Sequence, residues 1–231
     1  MPSKKSKTTR KRKKRQDTSS YSIVFFPLLV FVLIMWVTYR NLFSFPVWFD
    51  EIIGKAIFFG MPVWLYVVIT NAVDIVDSFA FNKLRRGLLI GLAIGGLFGF
   101  AAALLGLSQK NTGVQAAQLF IADQFWWEFF LALMTAFWET LFFFSFVAVV
   151  VFNTFKNWDL LKQVLLIAFI FLLFHLPNII LRFSGVSILQ QIFLLFLFAI
   201  GQSLIFVREK NAYPLVISHA IWGMVLLVHL G

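Results

Sequence analysis

Three ionisable side chains stand where an apolar sequence has little reason to carry them: Glu139 in AFWETLFFFSF, His175 in FLLFHLPN and His219 in YPLVISHAIWG. An ionised group at the centre of a membrane helix costs about 2.5–3.5 kcal/mol on insertion scales, so it is retained when it is paired, protonated or facing a wet cavity. One carboxylate and two imidazoles on three separate segments admit four uses. The carboxylate can take a proton from water while the imidazoles orient that water and stabilise an oxyanion. The trio Glu139, His175 and His219 can ligate a metal as a His2Glu set with an open position, zinc being the candidate. A carboxylate–imidazole chain can relay protons. Or the three groups pair only to lock helices together.

Other chemistries are excluded. The chain has no cysteine, which removes thiol nucleophiles, disulfides and Cys-ligated zinc. It contains no HExxH and no GxSxG, so neither a zincin helix nor a nucleophile elbow is present. Glu128 lies on nearly the same helical face as Glu139, about three turns earlier and nearer a helix end, where its carboxylate can reach the interface. His229 falls in the last turn of the sequence and is given a structural role.

The elements that must position these groups follow from composition. Hydrophobic residues make up 61% of the 231 and charged residues 13%, against roughly 45–50% and 25% in a soluble domain, so lipid is the solvent for most of the chain. Mean hydropathy of +0.88 agrees. The expected fold is an all-α polytopic transmembrane helix bundle with about seven spans, since each crossing takes about 20 apolar residues. The expected spans are 21–38, 56–73, 87–106, 126–152, 161–179, 187–206 and 212–230. Extra interfacial helices are expected over 41–55, where Trp48, Phe49, Ile52 and Ile53 alternate with Asp50, Glu51 and Lys55, and over 108–125.

The net charge of +10 has a topological origin. Nine of the twenty Lys and Arg residues fall in the first fifteen positions, which read as a disordered basic cytoplasmic tail over 1–20 touching anionic headgroups. The run has no aromatic interleaving, so no nucleic-acid partner is expected. With that tail inside, Lys83, Arg85, Arg86, Lys156, Lys162, Arg208 and Lys210 also fall inside, while Arg40, Lys55, Lys110 and Arg182 fall outside. Gly87, Gly91, Gly95 and Gly99 form a ladder on the third span, suited to close packing against another helix of the chain, or alternatively against a second copy. A rise of about 1.5 Å per residue puts Glu139 and His175 at about 20 Å from the cytoplasmic ends and His219 nearer 12 Å, a disagreement that tilt, or helices extending past the membrane, can remove.

The ordered trio WETLFFFSF, FLLFHLP and NAYPLVISHAIWG resembles the CPBP family, the CAAX prenyl endopeptidases and bacteriocin-processing or self-immunity membrane proteins. The family's motifs are EExxxR, FxxxH and Hxxx(N/D). Phe171 and His175 match the second in full, His219 leads the third, and Glu139 falls on the first Glu of the first. Thr140 stands at the second Glu position, Phe144 at the Arg, Ser145 at the following Gly and Gly223 at the Asn or Asp. The likeness covers roughly 80–231, the CPBP-like transmembrane core, with 21–79 as N-terminal spans and an interfacial segment.

The resemblance implies an intramembrane endopeptidase. In it, Glu139 activates water with His175, His219 helps to hold the oxyanion, and no cofactor is required. The substrate would be a prenylated, leader or bacteriocin-like peptide or a membrane protein, and the protein an integral one of a bacterial or archaeal cell membrane. The departures at Thr140, Phe144 and Gly223 carry the other reading, a catalytically weakened member acting as scaffold, regulator or immunity protein.

Overall fold

The computed structural model describes residues 6–110 and 124–230, with side chains over 23–100 and 124–224. Among the described residues there are helices and loops but no strands. We number the helices α1 Ser6–Leu42, α2 Val47–Thr70, α3 Val73–Asp77, α4 Leu84–Lys110, α5 Phe125–Thr154, α6 Leu160–Arg182, α7 Val186–Glu209 and α8 Tyr213–Leu230. Five of them are long and apolar enough to cross a membrane over Ile23–Leu42, Val47–Thr70, Phe125–Thr154, Leu160–Arg182 and Val186–Glu209. The remaining two expected spans fall on α4 and α8. The chain is an integral, all-α membrane bundle.

Two expectations change, and a third falls on residues not described. The segment 41–55 is not a separate interfacial helix: from Val47 onward it is the first half of α2, which therefore begins nine residues before the expected span. Helix α1 starts at Ser6, inside the segment expected to be disordered, where Lys, Arg and Gln are good helix formers and no Gly or Pro intervenes before Pro27. The surface helix expected over 108–125 lies mostly outside the described residues, as do the side chains of Ala103 and His229.

Helix α5 is the centre of the bundle. Its apolar window is 67% buried, against 22% for α1 and α7. Between Thr140 and Val147 it widens into π-helical turns, and every side chain there except Leu141 is buried. Phe142, Phe143, Phe144 and Phe146 pack inward against Phe25, Phe59, Phe171 and Phe174. The many phenylalanines thus divide: those of α5 build the core, while Phe26, Phe31, Phe100, Phe169 and Phe193 remain exposed for lipid.

Helix α2 also carries π turns, over Asp50–Gly54 and Ala56–Gly60, with Lys55 between them. The second ends just ahead of Pro62, whose ring would collide with the carbonyl of Phe58 in a regular helix. Gly60 is required there, because a Cβ would lie 2.6 Å from the Trp138 ring of α5. Pro177 is carried inside α6, which continues to Arg182. Beside it, the indole of Trp36 in α1 donates to the carbonyl of Phe174 at 2.9 Å.

The glycine ladder is an internal joint. A Cβ at Gly87 would meet Tyr213 Cβ at 2.5 Å, one at Gly91 Ile217 Cβ at 2.7 Å, and one at Gly95 Ile221 Cδ1 at 2.5 Å. Both sets of numbers rise together, so α4 and α8 run parallel and nearly in backbone contact. Their entry points are clamped as well. Lys83 Nζ donates to the carbonyls of Asp77 at 2.8 Å and Lys210 at 2.9 Å, and Asn211 Nδ2 donates to the Lys83 carbonyl at 3.0 Å. Asn211 Oδ1 accepts from the Tyr213 amide at 3.0 Å and so caps α8. This joint sets the height of His219.

Candidate active site

Glu139 is the last residue of α5 before its π turns, and its side chain is only 6% exposed. Oε2 of its carboxylate has the Nε2 atoms of both His175 (α6) and His219 (α8) at 3.3 Å. The three residues singled out from the sequence therefore meet at one oxygen atom. The mismatch in depth inferred from a uniform helical rise does not keep them apart.

The ring of His175 is fixed twice by Phe171. Its Nδ1 lies 2.8 Å from the Phe171 carbonyl, and the two rings stack at 4.0 Å between centroids. The FxxxH spacing, one helical turn, makes both contacts possible. A carbonyl oxygen can only accept, so the proton is on Nδ1 and Nε2 of the neutral ring presents a lone pair. That nitrogen faces the carboxylate, whose Oε2 is buried with no hydrogen-bond partner although both imidazoles lie at 3.3 Å. His219 differs: its Nδ1 is buried without a partner, and Phe198 packs against the ring at 4.8 Å. With no acceptor at Nδ1, its proton is free to sit on Nε2. His175 is the least buried of the three side chains, at 16% against 10% for His219.

The other carboxylate oxygen holds what the sequence reading missed. Lys55 Nζ lies 2.6 Å from Glu139 Oε1 and 2.5 Å from Glu51 Oε2, and Thr135 donates its hydroxyl to the same Glu51 oxygen. Lys55 is buried, 5% exposed, and not on an outer loop as its place in the topology suggested. Removing one partner of such a buried pair costs about 3–5 kcal/mol, because the other is left uncompensated. The signal was present: a Glu and a Lys four residues apart inside a 24-residue apolar run. Their place in the expected interfacial stretch 41–55 hides it, because Lys55 meets Glu139 only where α2 packs on α5.

Positions around the trio are apolar or open. Phe144 packs on Phe171 at 5.6 Å between centroids, Thr140 is buried with its hydroxyl unpartnered, and the Ser145 hydroxyl bonds that of Ser78 at 2.9 Å. A Cβ at Gly223 would meet nothing within 4 Å. Glu128 is exposed in the first turn of α5, where it suits the helix dipole, and takes no part in the site.

Among the described residues no three His, Asp or Glu are placed to hold a metal ion, and the ammonium of Lys55 lies on Glu139 where a cation would otherwise approach it.

No curated protein and no solved structure matches the chain. A family model does: residues 121–225, which run from just before α5 into α8 and include Glu139, His175 and His219, match the family described as Type II CAAX prenyl endopeptidase Rce1-like, in agreement with the resemblance carried by Phe171, His175 and His219.

Proposed function

We propose that the protein is a glutamate-dependent intramembrane endopeptidase that cleaves prenylated peptides near their membrane-anchored end. The matched family points to CAAX-type intramembrane proteolysis. One observation supports the mechanism above all: a buried carboxylate oxygen without a hydrogen bond, flanked at 3.3 Å by two imidazole nitrogens.

Oε2 of Glu139 and Nε2 of His175 are two acceptors that polarise one water through its two hydrogens. The water oxygen attacks the scissile carbonyl carbon, and its proton passes to Glu139. His219, with its proton on Nε2, donates to the oxyanion that develops. When the C–N bond breaks, Glu139 returns the proton to the leaving amine, giving an amine and a carboxylic acid that then loses its own proton to solvent. Lys55 stays on Oε1 throughout. The apolar walls from Phe143, Phe171 and Phe198 keep other water away and suit a substrate that arrives through lipid.

The test is turnover of a farnesylated peptide ending in Cys-aliphatic-aliphatic-X by the protein in proteoliposomes, with an unprenylated leader-type peptide beside it. Cleavage of the farnesylated peptide that is lost in Glu139→Gln supports the reading. Cleavage of the leader peptide alone would move the substrate class, and cleavage of neither would overturn the enzyme.

A second reading has its own observation. Gly223 leaves open space where the family has an amide, and Phe144 brings no charge to Glu139. A scaffold or regulator that binds such peptides without cutting them would show saturable binding and no turnover.

A further inference from the structure

We infer that Lys55, braced by Glu51, is a positioning residue for the hydrolysis proposed above, fixing which oxygen of Glu139 serves as the base; the inference rests on that reading. Glu51 and Lys55 are four residues apart on α2, and Thr135 and Glu139 are four apart on α5. The two pairs face each other and close a ring: Thr135 donates to Glu51, Glu51 holds Lys55, Lys55 holds Glu139, and α5 joins Glu139 back to Thr135. Contact on this scale is possible because Gly60 lets α2 approach Trp138 and because π turns flank Lys55 on both sides.

The ring acts on one atom. An ionised carboxylate has two equivalent oxygens and rotates between them. With Nζ 2.6 Å from Oε1, that oxygen is occupied and the carboxylate plane is held, so Oε2 is the one presented to His175 and His219. No other charged residue of α5 faces the site, since Glu128 is exposed at the far end of the helix. A catalytic group needs placement within about 0.5 Å by neighbours that are themselves held, and Lys55 is held at both ends. A purely structural ion pair would instead stabilise the fold and leave the chemical step untouched.

The experiment measures kcat and KM for the farnesylated peptide together with thermal unfolding, in proteoliposomes of the full chain. Lys55→Met is expected to lower kcat about 10- to 100-fold with KM unchanged, the scale on which supporting partners of active-site groups act. Lys55→Arg, which keeps the charge, should recover most of that loss. Glu51→Gln should give a smaller fall in kcat, and Glu51→Gln combined with Lys55→Met should be no worse than Lys55→Met alone, because both act through one oxygen. If Lys55→Met fails to fold, Glu51→Gln carries the test, since it removes the brace and keeps the Lys55–Glu139 pair. An active wild type whose folded Lys55→Met or Glu51→Gln keeps full kcat overturns the inference and spares the proposed function. A wild type that cleaves nothing overturns the proposed function and, with it, the catalytic meaning of Lys55.

Discussion

Lys55 and Glu139 are 84 residues apart in sequence and 2.6 Å apart in the bundle. That contact joins the N-terminal helices to the segment that carries the family motifs. It also divides the labour between the two oxygens of one carboxylate: Oε1 is committed to an ammonium, and Oε2 is left between two imidazoles. The predictions below follow from this division and from the joints that maintain it.

The two histidines should differ in kind. His219→Ala removes the proposed oxyanion donor and is expected to lower kcat by about 10²–10³ with little change in KM. His175→Ala removes a partner in water activation and should reduce kcat at least as far. Steady-state kinetics on the farnesylated peptide check both. Full turnover by either folded variant would remove that histidine from the mechanism.

Filling the α4–α8 joint should be felt at a distance. Gly91→Leu places a Cβ 2.7 Å from Ile217 Cβ and 3.0 Å from the Pro214 carbonyl oxygen, neither of which can step aside cheaply. The expected cost is about 1–3 kcal/mol, the usual range for overpacking, together with reduced kcat as His219 moves with α8. Gly96→Leu is the comparison, since a Cβ there meets nothing within 4 Å. Thermal unfolding of the two variants should separate them, and equal unfolding temperatures would show that the ladder is not a tight joint.

Gly223→Asn is expected to raise activity. The position lies one turn after His219, and a Cβ there has open space around it. An amide added beside the oxyanion donor can be worth up to about 10²-fold in kcat. Replacing a mid-helix glycine also favours α8 by a few tenths of a kcal/mol. A folded Gly223→Asn with unchanged kcat would show that this face of α8 does not see the reacting carbonyl.

Chelation should have no effect. Incubation with a strong chelator is expected to leave kcat unchanged, and elemental analysis of purified protein should find no stoichiometric metal. Stoichiometric zinc whose removal abolishes turnover would make Glu139, His175 and His219 its ligands and overturn Glu139 as the base.

Much of this architecture could be read directly from residues. The apolar runs placed the helices, the glycine ladder announced a close joint within the chain, and three ionisable groups in apolar surroundings led to Glu139, His175 and His219. Each is a local signal: a property of one helix read along its own length. Lys55 was illegible for the opposite reason. Its neighbours Asp50 and Glu51 made the stretch look like a surface, and only the meeting of α2 with α5 turns that surface into an interior. Asp50 is drawn away by Tyr39 and Arg40 of α1, at 2.5 and 2.6 Å, which leaves Glu51 and Lys55 to face inward. The π turns that set the register of Glu139 were equally hidden, since nothing in TLFFFSFV distinguishes a wide turn from a regular one.

The i,i+4 pairing of Glu51 with Lys55 bears on how the chain enters its bilayer. Domains and helices emerge in order during synthesis, the N-terminal ones first. Helix α2 therefore reaches lipid long before α5 exists, and it does so with its one deeply placed cation already neutralised by its own carboxylate. When Glu139 follows, it meets in the membrane an ammonium that already has Glu51 beside it.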